Sequence, residues 1–140
     1  MGFSSCNSLE KIQKSSNTEY KLQKANEFYD KAQYAKCIPL YEELLTVFKG
    51  TARFEDIYYK YAMSYYKQKT YLAASYHFKN FTDLFPNSKR AEEARFLHSK
   101  SLFEQAPEHR LDQANTQKSI SELQNFINTN PTSSRVSSAN

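Results

Sequence analysis

A spacing of 37 residues runs through this chain and restricts its fold more than any other feature. Ala25, Ala62 and Ser99 stand at that interval, as do Phe28, Tyr65 and Leu102. A second set keeps the same step: Tyr34 with Tyr71, Cys37 with Ala74, Tyr41 with Phe78, Leu44 with Phe81 and Phe48 with Phe85. Self-similarity with a period of about 20 to 50 residues is the mark of stacked repeats. Two glycines and four prolines leave little material for hairpin turns, while Leu, Lys, Glu, Gln and Ala recur periodically, so each repeat is expected to be helical.

The middle repeat shows the unit. Tyr58, Tyr61, Ala62 and Tyr65 fall at i, i+3, i+4 and i+7, one face of a helix. After a break at Lys69-Thr70, the residues Tyr71, Ala74, Phe78, Phe81 and Phe85 form the apolar face of a second helix, closed by Pro86. Two antiparallel helices with small residues where they cross and large ones where gaps remain resemble the tetratricopeptide repeat. Tyr58, Tyr61, Ala62, Tyr65, Ala74, Phe78 and Pro86 match its signature. The expected fold is all-α, a tetratricopeptide-like helical-hairpin solenoid of about three repeats near 18–50, 55–86 and 92–131. Cys37 takes the small position that Ala74 takes one repeat later and reads as a packing residue. Lys21 and Lys24 stand at large-residue positions of the first repeat, where an uncovered side would explain them; Arg95 and His98 do so in the third.

The outer segments are less regular. Residues 1–17 read as a clipped signal remnant and a flexible tether rich in Ser, Asn, Lys and Gln. Phe-Ser-Ser before Cys6 looks like the end of a bacterial lipoprotein signal, which makes Cys6 the candidate lipid-attachment residue if a full signal precedes it. Glu104 to Gln113 reads as a protruding insertion before a helix near 114–128. Residues 132–140 read as a flexible tail. Ile120, Leu123, Phe126 and Ile127 would then lack a covering helix, and the chain reads as a fragment of a longer array.

Cys6 after small residues, a polar tether, repeats stretched to 37 residues by a connection such as FKGTARFED, and a proline-containing insertion together resemble the BamD family of outer-membrane assembly lipoproteins. The likeness runs from about Cys6 to Ser133. AMSYYKQKTYLAASYHF, PNSKRAEEARF, RLDQ and ISELQNFI look like its Bacteroidetes members. The resemblance implies a scaffold held by a lipid at the periplasmic face of the outer membrane. Its implied partners are a BamA-like barrel protein and unfolded outer-membrane protein clients, whose carboxy-terminal strands meet the amino-terminal repeats.

Chemistry is not indicated. His77, His98 and His109 share no metal-ligand spacing, and no HExxH, glycine-rich phosphate loop or G-x-S-x-G occurs. The expectation is a non-enzymatic protein without metal or cofactor. Nineteen basic against 15 acidic residues give a net charge of +4 scattered along the chain, so a nucleic-acid partner is not expected. What remains is a surface. In tetratricopeptide arrays the first helix of each repeat lines the concave side. The columns beside the packing signature are Leu22, Asn26 and Tyr29, then Tyr59, Met63 and Tyr66, then Phe96, Lys100 and Phe103. They form the expected peptide-binding groove, suited by its aromatics to an apolar segment with an aromatic end. A generic tetratricopeptide adaptor of the envelope or cytoplasm is the rival reading.

Overall fold

The computed structural model describes residues 2–106, 121, 122 and 124–126, with side chains from Ser8 onward. Among them the chain is all-helical, and within each compact unit helices adjacent in sequence pack on one another, the tetratricopeptide-like class. It divides after Gln68 into two compact units.

The first unit holds α1 (Gly2–Lys14), α2 (Thr18–Asp30), α3 (Tyr34–Val47) and α4 (Phe54–Lys67). Asn17 starts α2, its side-chain oxygen accepting from the Tyr20 amide at 3.1 Å. The helix ends in a Schellman turn, in which the Gln33 amide bonds the Phe28 carbonyl at 2.8 Å and the Ala32 amide bonds Tyr29 at 3.0 Å. Short connections make α2 and α3, and then α3 and α4, antiparallel neighbours. Their core contains Ala25, Cys37, Leu40, Tyr41, Leu44, Ile57 and Tyr61. Ala25, Cys37 and Ala62 are fully buried, which is what the size rule at the helix crossings requires. The Cys37 sulfur lies 3.2 Å from the Ser64 hydroxyl, which itself donates to the Lys60 carbonyl at 2.7 Å. Burial pushes the Cys37 thiol above its usual range.

The tether reading is corrected over residues 2–14. They form α1, because Leu9 and Ile12 are spaced i, i+3 on one face and pack onto the first unit's core, with Ile12 only 4% exposed. Cys6 lies on this helix; its side chain is outside the described residues. The account of Lys21 changes too. Its ammonium pairs with Glu43 on α3 at 3.1 Å and is largely buried, so an ion pair, rather than an open end, accommodates it.

In the second unit α5 (Tyr71–Leu84) packs along α6 (Ala91–Gln105), and residues 121–122 and 124–126 are helical. Ala74, Phe78, Phe81, Ala94 and Ser99 are buried, again with small side chains at the expected positions. Glu104 and Gln105, assigned to the insertion, belong to the end of α6; residues 107–120 lie outside the described residues. Phe126, expected to lack cover, is 3% exposed, with its ring 5.5 Å from that of Phe96.

His98 now has a reason to stand on a packing face. Its Nδ1 lies 2.8 Å from the Ser75 carbonyl, which can only accept, so the imidazole carries its proton there and ties α6 to α5.

The two turn positions at the repeat break also keep the 37-residue step. Ala32 and Lys69 both adopt left-handed backbone, with φ of 59° and 67°. That conformation costs an L-residue about 1–2 kcal/mol, against about 0.5–1 kcal/mol for the extra chain freedom of glycine. Ala32→Gly and Lys69→Gly should therefore each leave stability unchanged or raise it by up to about 1 kcal/mol in thermal denaturation. A clear loss would contradict the turn geometry. Cys37→Ala should be nearly neutral, whereas Cys37→Phe should overpack the crossing and cost about 1–3 kcal/mol; equal melting temperatures would refute the close approach.

Candidate functional site

The nine groove positions divide between the units, and each unit treats its members differently. On α2, Leu22, Asn26 and Tyr29 form one half-buried stripe, with Leu22 and Tyr29 packed against the core. On α4, Tyr59 and Met63 are buried, at 7% and 9% exposure, and Tyr66 is half-buried. In the second unit Phe96 is buried against Phe126, the Lys100 ammonium lies 5.9 Å above the Phe96 ring, and Phe103 is exposed.

An open cleft of about 920 Å³ lies between α2 and the start of α4. It brings together two of the predicted residues, Leu22 and Asn26, with the exposed ring of Tyr20 supplying further apolar surface and Ile57 buried at its floor. The lining also carries charged and amide groups: Glu19, Gln23, Glu27 and Asp30 from α2, then Arg53 and Asp56 across from them. Tyr29, Tyr59, Met63 and Tyr66 do not line it. The open part of this face is thus amide- and carboxylate-rich, where the repeat columns suggested aromatics.

Its polar groups hold one another in place. The Arg53 guanidinium pairs with Glu19, joining the loop before α4 to the first turn of α2. Asn26 sits at the centre: its side-chain oxygen accepts from the Tyr41 hydroxyl at 2.7 Å and from the Lys60 ammonium at 3.3 Å. Lys60 also pairs with Asp56 at 3.3 Å and lies 5.7 Å over the Tyr29 ring. The hydrogen bond from Lys24 holds the Glu27 carboxyl below its ordinary range. Burial pushes the Tyr41 and Tyr61 phenols far upward, so both stay protonated donors at neutral pH. The tyrosines of the middle repeat are chiefly structural: Tyr58 and Tyr61 are buried, Tyr65 packs half-buried beside them, and the Tyr61 and Tyr65 rings meet edge to face.

Sequence reasoning missed the carboxylates because it followed the apolar columns, although Glu19, Asp56 and Glu93 also stand at the 37-residue step. A signal existed within one helix: Glu19, Gln23, Asn26 and Asp30 fall at i, i+4, i+7 and i+11, the same face as Leu22. Arg53, just before α4, has its counterpart in Arg90, 37 residues later and just before α6.

Helical hairpins with small-residue crossings and an open cleft between the first helices of successive repeats define a tetratricopeptide-like protein. The chain belongs to the YfiO family of outer membrane lipoproteins, a BamD-like family whose model matches residues 13–139. Comparison with curated proteins gave no match. No helix among the described residues is long and apolar enough to cross a membrane.

Tyr41→Phe should cost about 1 kcal/mol, since it removes one hydrogen bond while Lys60 still serves Asn26. Asn26→Leu should cost more, about 1–3 kcal/mol, because it strands the buried Tyr41 hydroxyl, while Lys60 keeps its pair with Asp56. Chemical denaturation of both variants measures the difference; the reverse order would refute the network.

Proposed function

We propose that the protein is a lipoprotein scaffold of the outer-membrane β-barrel assembly machinery and that the α2–α4 cleft holds segments of client proteins or of a partner subunit. The carrying observation is the family match over residues 13–139, which joins an outer membrane lipoprotein to a fold with an open cleft on its first helices. In this reading Cys6 carries the lipid, at the periplasmic face of the outer membrane, and the partners are a BamA-like barrel protein and unfolded barrel clients. The function is one of binding, with no catalytic step. The cleft's composition supports a segment held by its backbone. Gln23 and Asn26 offer amide groups to an extended chain, and Leu22 and Tyr20 offer apolar surface to its side chains.

Because Tyr59 is buried, replacing it would confuse folding with binding, and exposed positions make the better probe. Gln23→Trp and Asp30→Arg lie on exposed parts of α2 and should leave helix content unchanged. A labelled peptide copied from the carboxy-terminal strand of a β-barrel protein should bind the wild type and lose about tenfold or more in affinity for the double variant. A scrambled peptide serves as control. Identical curves for wild type and variant would sink the cleft as the site. A wild type that binds no barrel-derived peptide would favour the generic adaptor.

A further inference from the structure

The second unit holds a smaller pocket, of about 180 Å³, between α5, α6 and the helical residues 122, 125 and 126. Its lining includes Arg95 and His98, the two residues whose place on a packing face the repeat pattern does not explain. We propose that this pocket binds a carboxylate group, with the Arg95 guanidinium as its principal partner. The site is separate from the α2–α4 cleft and does not depend on the function proposed for it.

Arg95 gives the first reason. Its Nε is buried and has no hydrogen-bond partner among the described residues. A buried donor left unmade is costly, and the edge of a guanidinium formed by Nε and one Nη matches the two oxygens of a carboxylate. Two further donors border the same space: the Lys79 ammonium and the Asn125 amide. Among the described residues Lys79 pairs with Asp83, at 3.7 Å and with both groups well exposed, a weak pair that lets it turn inward at little cost.

The other groups narrow the ligand. Thr82 and Ser99 already donate their protons to the carbonyls of Lys79 and Arg95, at 2.8 and 3.2 Å, so neither hydroxyl serves an anion as a donor. His98 is held by the Ser75 carbonyl, and its Nε2 lies 3.8 Å from the Glu122 carboxylate. That resident negative charge favours a singly charged ligand over a dianion such as hydrogen phosphate. Phe126, also in the lining, offers an apolar wall to a short alkyl group. Cationic groups, one carboxylate and a ring therefore select a small alkyl carboxylate, free or carried on a polypeptide.

The Arg95 Nε–H signal in a proton–nitrogen NMR spectrum reads this directly. Propionate, titrated into the full chain at constant ionic strength, should shift that signal saturably. Propionamide, its uncharged counterpart, should not, and phosphate should bind more weakly than propionate. Asn125→Leu, at an exposed position, should weaken propionate severalfold. Arg95→Lys keeps the charge without the fork and should weaken it about tenfold or more. Should Arg95→Lys fail to fold, through-bond correlations in the wild type assign the signal and the titration still decides. A shift that never saturates, equal binding of propionamide, or phosphate binding as tightly as propionate would each overturn the proposal.

Discussion

The close approach of helices at small residues is the constraint on which the rest depends. Ala25 and Cys37, at zero exposure, let α2 and α3 come together, and the 3.2 Å separation of the Cys37 sulfur from the Ser64 hydroxyl measures the approach of α3 to α4. Once those three helices are fixed, α2 and α4 stand far enough apart to leave a cleft, whose polar network hangs from α3 through the Tyr41 hydroxyl. A larger residue at Cys37 would therefore act on the cleft as well as on the core. The same logic recurs in the second unit, where Ala74, Ala94 and Ser99 are buried between larger neighbours.

Much of this was legible in the sequence because the constraint repeats. Residue size at a helix crossing is a local demand, and a chain that meets it more than once at the same step displays the step. The turns obey the period as well, since Ala32 and Lys69 share left-handed backbone, but neither is the Gly or Asn that would announce it. Polar features keep the step only in part, as Glu19, Asp56 and Glu93 or Arg53 and Arg90 do, and they stand outside the packing columns. Leu9 and Ile12 are two apolar residues in a polar segment, too few to outweigh a composition that reads as a tether, yet they suffice once a core exists to receive them.

The face beside the packing signature is legible in the sequence, and its contents less so. Choosing that face puts Leu22 and Asn26 at the cleft. It overstated the aromatics, because a position adjacent to a packing face on a helix lies only about 100° away and a tyrosine is long enough to fold back. Tyr59 and Met63 are buried for this reason, while Glu19, Asp30 and Asp56, shorter and charged, remain at the cleft.

That polarity bears on how such a cleft would recognise a segment from many different clients. Side-chain pockets discriminate among sequences, whereas amides and carboxylates can meet the backbone groups that every extended chain presents. The internal pairs, Arg53 with Glu19 and Lys60 with Asp56 and Asn26, hold these groups in place before any ligand arrives and lower the ordering cost of binding. Such pairs also moderate the net charge of the surface, so on the proposed reading its attraction for a segment would rest more on hydrogen bonding and the apolar contribution of Leu22 and Tyr20 than on long-range charge. A scaffold that must hold many clients and release them gains from contacts that are individually weak, shared by all chains and already in position.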